Sequence, residues 1–198
     1  MIKLIKTINI GSLLIMALLF ISCDNNYSPL PRGYFRIDFP EHSYQLSDTV
    51  SPYYFEYSTF AKLKSSQHGP DQKYWTNIVY PQFKAKVYLS YKSVDGNLIT
   101  YLEDAYTLVS KHISKADGII DSVIMNKDRN VYGLTYKIIG SGVASPYQFF
   151  VTDSASHFLR GALYFDILPN NDSLEPVIDF ITSDMDHLIN TLEWNNTN

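Results

Sequence analysis

The chain has 198 residues, of which 45% are hydrophobic and 15% aromatic, and this composition is typical of one well-packed globular domain. The formal net charge is −4, with 16 basic and 20 acidic residues and no long run of either sign, which argues against nucleic acid as a partner. Only one cysteine is present, so an intrachain disulfide and a thiolate metal cluster are both excluded.

The amino-terminal residues follow the order of a secretory signal. Lys3 and Lys6 precede an apolar run at 13–21, and a positive start followed by about 7 to 15 apolar residues directs export. A permanent membrane span would need about 20 apolar residues. The run leads to the single cysteine in the sequence LFISC, which resembles the lipobox of bacterial lipoproteins, whose cysteine is acylated after cleavage. We therefore predict a signal peptide at 1–22 and a lipidated Cys23.

Two details bear on this lipobox prediction. Phe20 stands where a lipobox usually has leucine, and Leu19 comes one position early. A buried structural cysteine is the alternative, but the polar residues at 24–26 follow at once. The next residues contain two prolines and several polar side chains, a composition that favours extended chain. The predicted organisation is therefore a lipidated cysteine and tether at 23–33, followed by a single domain at 34–198.

Alternating apolar and polar residues predict strands in the first part of this domain. The alternation occurs at 34–39, where Pro40 ends it, at 53–57, from near residue 75, and at 83–91 with the sequence FKAKVYLSY. Apolar residues at helical spacing then predict an amphipathic helix from Leu98, with Asn97 as its amino-terminal cap.

Four further strand-like runs, GIIDSVIMN, NVYGLTYKIIG, YQFFVT and FLRGALYFDI, predict an antiparallel meander. A second amphipathic helix follows, in which Asp172 and Glu175 resemble a capping box and Pro176 falls in the first turn. The predicted fold class is therefore α+β, a mainly antiparallel sheet packed with two long helices. The order of the elements is similar to that of the PsbP and Mog1-like sandwiches.

Sequence motifs for catalysis, nucleotides or metals are weak. The loop at 140–145, GSGVAS, lacks a third glycine and a following Lys-Ser/Thr, so it does not predict a phosphate site. The hydrolase elbow Gly-x-Ser-x-Gly is absent. Asp184 and His187 have ligand-like spacing on a helix, but one such pair is usually a solvated surface pair. We therefore predict no catalytic residue, no metal site, no cofactor and no small-molecule substrate.

The hairpin around SASHFLRG is the candidate contact for a partner. His157 and Arg160 flank its tip, where polar residues are expected for structural reasons alone. Arginine has a planar, permanently charged group suited to paired recognition of a carboxylate. The hypothesis is therefore that His157 and Arg160 bind a partner protein.

Several long strings together resemble one family. PRGYFRIDFPEHSYQ, FKAKVYLSYK, YQFFVTDSASHFLRGALYF and PNNDSLEPVIDFI span about residues 30–194 and are similar to the gliding motility lipoprotein GldD family of the Bacteroidetes. The resemblance implies a cell-envelope lipoprotein required for gliding and for the type 9 secretion machinery, with other proteins of that machinery as partners. It implies no assigned reaction, and only Cys23 matches a position with a defined chemical role.

Two functions follow as hypotheses. The favoured one is an interaction protein, anchored by acyl chains such as palmitate, that helps to assemble or stabilise the secretion and motility machinery. The alternative is a glycan- or peptidoglycan-binding module, suggested by the 16 tyrosines. An envelope hydrolase is the weakest reading. The predicted location is periplasm-facing, with the outer membrane favoured and the inner membrane left open.

Overall fold

A computed structural model describes residues 37–47, 51–66 and 72–195 of the chain. The predicted signal peptide, Cys23 and the tether at 23–33 lie outside the described residues. The division into 1–22, 23–33 and 34–198 stays a prediction.

The elements of the domain follow each other in the chain as short strands, a long strand, a helix, a meander and a second helix. The strands are β1 (Tyr44–Leu46), β2 (Tyr53–Tyr54), β3 (Glu56–Ser58), β4 (Lys62–Ser65), β5 (Thr76–Tyr80), β6 (Ala85–Ser93), β7 (Gly118–Asn126), β8 (Val131–Ile139), β9 (Tyr147–Thr152), β10 (His157–Phe165) and β11 (Glu193–Trp194). The helices are α1 (Leu98–Ser110) and α2 (Asn171–Thr191), and short 3-10 turns occupy Pro81–Phe83 and Ile113–Lys115.

A seven-stranded sheet forms the centre of the domain, with the strand order β4-β5-β6-β10-β9-β8-β7. Every neighbouring pair is antiparallel. Two small antiparallel pairs, β1 with β3 and β2 with β11, lie beside it. The prediction of an α+β fold with an antiparallel meander and two helices is confirmed.

Alternate residues of each strand supply the two faces of the sheet, and each face carries its own helix. On one face, Leu89 of β6 and Leu159 of β10 pack with Ile181 and Leu188 of α2. On the other face, Phe150 of β9 and Phe158 of β10 pack with residues of α1. The result is a three-layered domain, with α1 and α2 on opposite sides of one sheet.

Gly161 in the middle of β10 is covered by a neighbouring ring. It lies directly opposite Phe149 of β9. A Cβ atom added at Gly161 would come within 2.1 Å of the Phe149 ring. Glycine is therefore required there because the ring occupies the space of a side chain.

The starts of both helices differ from the sequence prediction. Asn97 precedes α1, but its side-chain oxygen accepts from the Asp95 amide at 3.0 Å and its Nδ2 donates to the Tyr101 hydroxyl at 2.9 Å, so it does not cap the helix. Helix α2 begins at Asn171, so Asp172 lies inside the helix and Pro176 falls in its second turn, not its first. The capping-box prediction is therefore wrong.

Residues 37–46, here called the strap, lie along helix α2. The prediction of a strand at 34–39 is wrong for residues 37–39, which the structure describes, because residues 37–43 form no strand. Phe39 stacks instead on Phe180 of α2, with ring centroids 5.0 Å apart, and packs against Phe83 at 5.8 Å. The apolar alternation thus reflects docking on a helix instead of pairing in a sheet.

The strap is also fixed to α2 by a buried carboxylate. Asp184 is 2% exposed, and its two oxygens lie 2.7 Å from Nδ1 of His42 and 3.0 Å from the donating hydroxyl of Tyr80. The His42 ring stacks on Phe180 at 4.4 Å. One carboxylate therefore joins the strap, helix α2 and strand β5.

Candidate partner-binding groove

A groove opens between α1 and the sheet because the helix covers only part of its face. Ala105 and Val109 of α1 contact residues of β8, β9 and β10. The outward residues of β6, which include Tyr88 and Lys92, are left beside the helix. This space has a volume of about 770 Å³ and is named here the Arg160 groove.

Aromatic rings line much of the Arg160 groove. Tyr88 of β6 and Tyr164 of β10 meet edge to face, with ring centroids 5.7 Å apart. Trp75 is held in place by its indole N–H, which donates to the Tyr91 carbonyl at 3.0 Å. The complete set of ring residues is Trp75, Tyr88, Tyr101, Phe158, Tyr164 and Phe165. Such rings offer a large contact area with few rotatable bonds, which suits a binding surface.

Most of the charged groups around the groove are already paired. Lys92 lies 3.6 Å from Asp104 and over the ring of Tyr101, 4.4 Å from its centroid. Asp166 at the rim pairs with Lys86 at 2.7 Å. These are half-exposed surface pairs, which contribute little to stability because solvent screens them.

Arg160 differs from these groups because no carboxylate in the described ranges lies within ion-pair distance of its guanidinium. Its Nη2 donates to Oε1 of Gln148, which is 1% exposed. The Gln148 Nε2 is buried and has no hydrogen-bond partner among the described residues. Burial lowers the pKa of Arg160, whereas Tyr164 acts to raise it. The guanidinium is thus partly desolvated and is not neutralised by any carboxylate of the residues that the structure describes.

The carboxyl end of α1 places a lysine and a histidine near Arg160. Lys111 lines the groove. Burial lowers the pKa of the neighbouring His112, and the positive charge of Arg160 acts in the same direction. At neutral pH the groove therefore carries the charge of Arg160 and Lys111 with neutral histidine nearby, an environment suited to an anionic group on an aromatic scaffold.

His157, the other candidate partner contact, lies on the opposite face of β10 from Arg160. It is 9% exposed, its Nδ1 is 2.8 Å from the Tyr91 hydroxyl, and its ring stacks on Trp194 at 5.1 Å. His157 and Arg160, predicted as one partner contact, therefore do not share a surface, since residues three apart on a strand face opposite sides. His157 belongs to the core.

The tip of this hairpin is organised by Asp153. Its Oδ1 accepts from the backbone amides of Ala155, Ser156 and His157 at 2.8–3.0 Å. Burial acts to raise the pKa of Asp153, but these three amides lower it overall. The polar residues at the tip thus close the turn, which is the structural reason expected for them.

Asp184 and His187, the pair with ligand-like spacing, bind different partners. Asp184 binds the strap and Tyr80, whereas Nε2 of His187 lies 2.7 Å from Glu56 and its ring stacks on Tyr44 at 3.5 Å. Across the described ranges, no three histidine, cysteine, aspartate or glutamate residues are grouped so that they could hold a metal ion.

The loop at 140–146 is held by the start of α2. The Asn171 side-chain amide donates to the carbonyls of Gly140 at 2.9 Å and Val143 at 2.8 Å. The loop joins β8 to β9 and opens no helix, so GSGVAS has no phosphate-loop geometry. No helix in the described part of the chain is long and apolar enough to cross a membrane.

Sequence reasoning identified Arg160 but missed the rings around it. Tyr88 and Tyr164 occupy outward positions in two otherwise regular strands, where polar residues are more usual. Aromatic residues on the polar side of the alternation were the available signal. Their proximity to each other follows from the pairing of β6 with β10, which the sequence alone does not establish.

Comparison with known proteins shows the family of the chain. Residues 24–194 match the family described as gliding motility lipoprotein GldD, and the chain belongs to this family. Among solved structures, the chain is similar to cyanobacterial PsbP (CyanoP) from Synechocystis sp. PCC 6803, with 11% identity, coverage of 84% of this chain and 99% of that chain, and a TM-score of 0.45. No curated protein matches the sequence. Family membership gives the protein a role in gliding motility and a membrane-anchored position in the cell envelope.

Proposed function

We propose that the protein supports the type 9 secretion and gliding machinery by binding another protein of that machinery in the Arg160 groove. In this proposal the guanidinium of Arg160 binds a carboxylate of the partner, and the surrounding rings contact apolar residues of the partner beside that carboxylate. Acyl chains on Cys23 hold the protein to the outer membrane with the domain in the periplasm.

The observation that supports this function is the state of Arg160. A partly desolvated cation without a carboxylate is costly to the isolated domain. A partner carboxylate would offset this cost by forming two parallel charge-assisted hydrogen bonds with the guanidinium. Aromatic residues and arginine are also the residue types enriched at the energetic centres of protein interfaces.

The alternative function is binding of an envelope glycan or peptidoglycan. The observation that favours it is that the rings of Trp75, Tyr88 and Tyr164 line one groove, since flat rings can stack against sugars. Arg160 would then pair with a carboxylate of the glycan. A substitution at Arg160 would therefore impair both functions, and identifying the molecule whose binding is lost distinguishes them.

The test replaces Arg160 with glutamine in the full-length lipoprotein. Arg160→Gln removes the charge but keeps a polar side chain with a hydrogen-bond donor. Loss of a buried charge contact at an interface costs about 2 to 5 kcal/mol, so partner capture by cross-linking in cells should fall about 30-fold or more. Colony spreading should fall with it, while the abundance and melting temperature of the protein stay close to wild type.

Arg129→Gln provides the matched control. It removes the same charge from a half-exposed arginine that lies 3.9 Å from Glu193, outside the groove. Normal capture and spreading in Arg160→Gln would refute the proposed function. Loss of binding to isolated peptidoglycan, with unchanged protein partners, would instead assign the groove to the glycan alternative.

A further inference from the structure

Strand β7 is an edge of the central sheet with unusual side chains. Beyond β8 it has no neighbour among the strands that the structure describes. Three of its apolar residues are largely exposed: Ile120 by 54%, Val123 by 71% and Met125 by 66%. An edge strand presents unpaired main-chain groups, and exposed apolar residues on it favour pairing with another strand.

The opposite edge of the same sheet is protected. Strand β4 carries Lys62 and Lys64, both exposed, and lysine is a common means of blocking edge pairing. On β7, by contrast, Asp121 is the only charged residue among nine. The asymmetry shows that one edge of this sheet is blocked by charge and the other is open.

The sequence of β7 is complementary to itself in one antiparallel register. When two copies of β7 pair about a two-fold axis at Ser122, Ile119 lies opposite Met125 and Ile120 lies opposite Ile124. Residues directly opposite each other in an antiparallel pair share a face and contact each other. On each face of the strand this register therefore places one apolar residue opposite another, whereas Asp121 lies opposite Val123.

A shift of the axis by one residue removes this match. With the axis at Val123, Asp121 would lie opposite Met125 and Ile120 opposite Asn126. The register centred on Ser122 therefore has more apolar pairs than the register centred on Val123. We propose that β7 is a homodimerisation edge, at which two copies of the chain join their sheets into one continuous antiparallel sheet about a two-fold axis at Ser122.

Anchoring to a membrane would favour this association. A single strand pair is a small interface, and small interfaces are weak between freely diffusing proteins. Two copies held at one membrane surface meet at a higher effective concentration. This inference concerns a surface separate from the Arg160 groove and stands independently of the partner proposed there.

The test uses cysteine cross-linking of the full-length lipoprotein in its own membrane. In the proposed register the two Ser122 side chains face each other on the axis, with Cβ atoms about 4.5 to 5.5 Å apart, so oxidation of Ser122→Cys should give a covalent dimer after a small adjustment. Asn126→Cys is the matched control on the same strand. Its two copies would lie roughly 25 Å apart and should not link.

A second substitution tests whether the link requires the apolar pairing. Ile120→Lys added to Ser122→Cys should abolish the dimer, whereas Leu168→Lys, at an 89% exposed residue outside β7, should leave it intact. Abundance and circular dichroism of each variant confirm folding.

Several results would overturn the inference. These are no dimer at Ser122 in a folded protein, equal linking at Ser122 and Asn126, or a dimer that forms through Val123→Cys in preference to Ser122→Cys. An adduct of Ser122→Cys with a different protein in place of a dimer would assign the edge to that protein and equally refute the second-copy proposal.

Discussion

Replacing Asp184 by alanine should loosen the strap and destabilise the domain. The Asp184 carboxylate accepts from Tyr80 and contacts His42, and both it and Tyr80 are 2% exposed. Alanine would leave the Tyr80 hydroxyl in the core without this acceptor. The substitution would also remove the polar contact between the strap and helix α2.

The expected size follows from these contacts. A buried hydroxyl left without a partner costs about 1 to 3 kcal/mol, and a hydrogen bond to a charged group contributes about 1.5 to 3 kcal/mol. Removing the buried carboxylate also removes the free-energy cost of its desolvation, which offsets part of this loss. We expect the free energy of unfolding to fall by about 2 to 4 kcal/mol, which for a domain of this size lowers the melting temperature by roughly 5 to 15 °C.

Chemical and thermal unfolding of wild type, Asp184→Ala, His42→Ala and the double variant would measure this effect. The two substitutions should be less than additive, because both remove the same contact. Asp179→Ala is the control on the same helix. Its carboxylate lies 3.4 Å from Lys137 with both side chains more than half exposed, so it should cost at most about 1 kcal/mol.

Two results would refute this reasoning. One is a loss in Asp184→Ala no larger than that in Asp179→Ala. The other is strict additivity with His42→Ala, which would mean that the strap and the carboxylate stabilise the domain separately.

Two further predictions concern Asp186 and Cys23. Burial raises the pKa of Asp186, whereas the hydrogen bond from Tyr147 acts to lower it. Folding therefore favours the protonated carboxyl. The stability that this group contributes is fully present below about pH 4 and is lost as the pH rises through the raised pKa of the folded state. Asp186→Asn should therefore gain in melting temperature over wild type between pH 4 and 7, and a pH-independent difference would contradict this. Cys23→Ala should abolish incorporation of labelled palmitate and release the protein from membranes, and acylation at another residue would disprove the anchor.

The regular parts of the sheet could be predicted from sequence because they depend on a local pattern. Strand β6 repeats apolar residues with period two, and the four strands of the meander are runs of six to nine residues rich in apolar and aromatic side chains. A half-buried strand is the simplest structure that satisfies such a pattern. Helix α2 was equally clear, since its apolar stripe continues over 21 residues.

The errors occurred where a distant residue decides the structure. Phe39 alternates with polar neighbours as a strand residue would, but its partner is Phe180 on a helix. His157 lies beside a polar turn, yet Tyr91 and Trp194 enclose it. In the candidate site, Arg160 was identified by its chemistry, whereas its uncompensated charge depends on which carboxylates the fold brings near. Tertiary contacts of this kind leave no local pattern in the sequence.

The position of β10 in the middle of the sheet also determines the order in which the chain can assemble. Strands β7 to β10 join through consecutive short turns, so each pairing closes only a small loop. The pairing of β10 with β6 instead joins residues such as His157 and Ser93, which are far apart in sequence. Closing that long segment costs more chain entropy than closing a hairpin, and this entropy is lost before the contacts between β6 and β10 can form. We therefore expect the two locally paired groups of strands, β4 to β6 and β7 to β10, to form before the seam between β6 and β10, which is also the floor of the Arg160 groove.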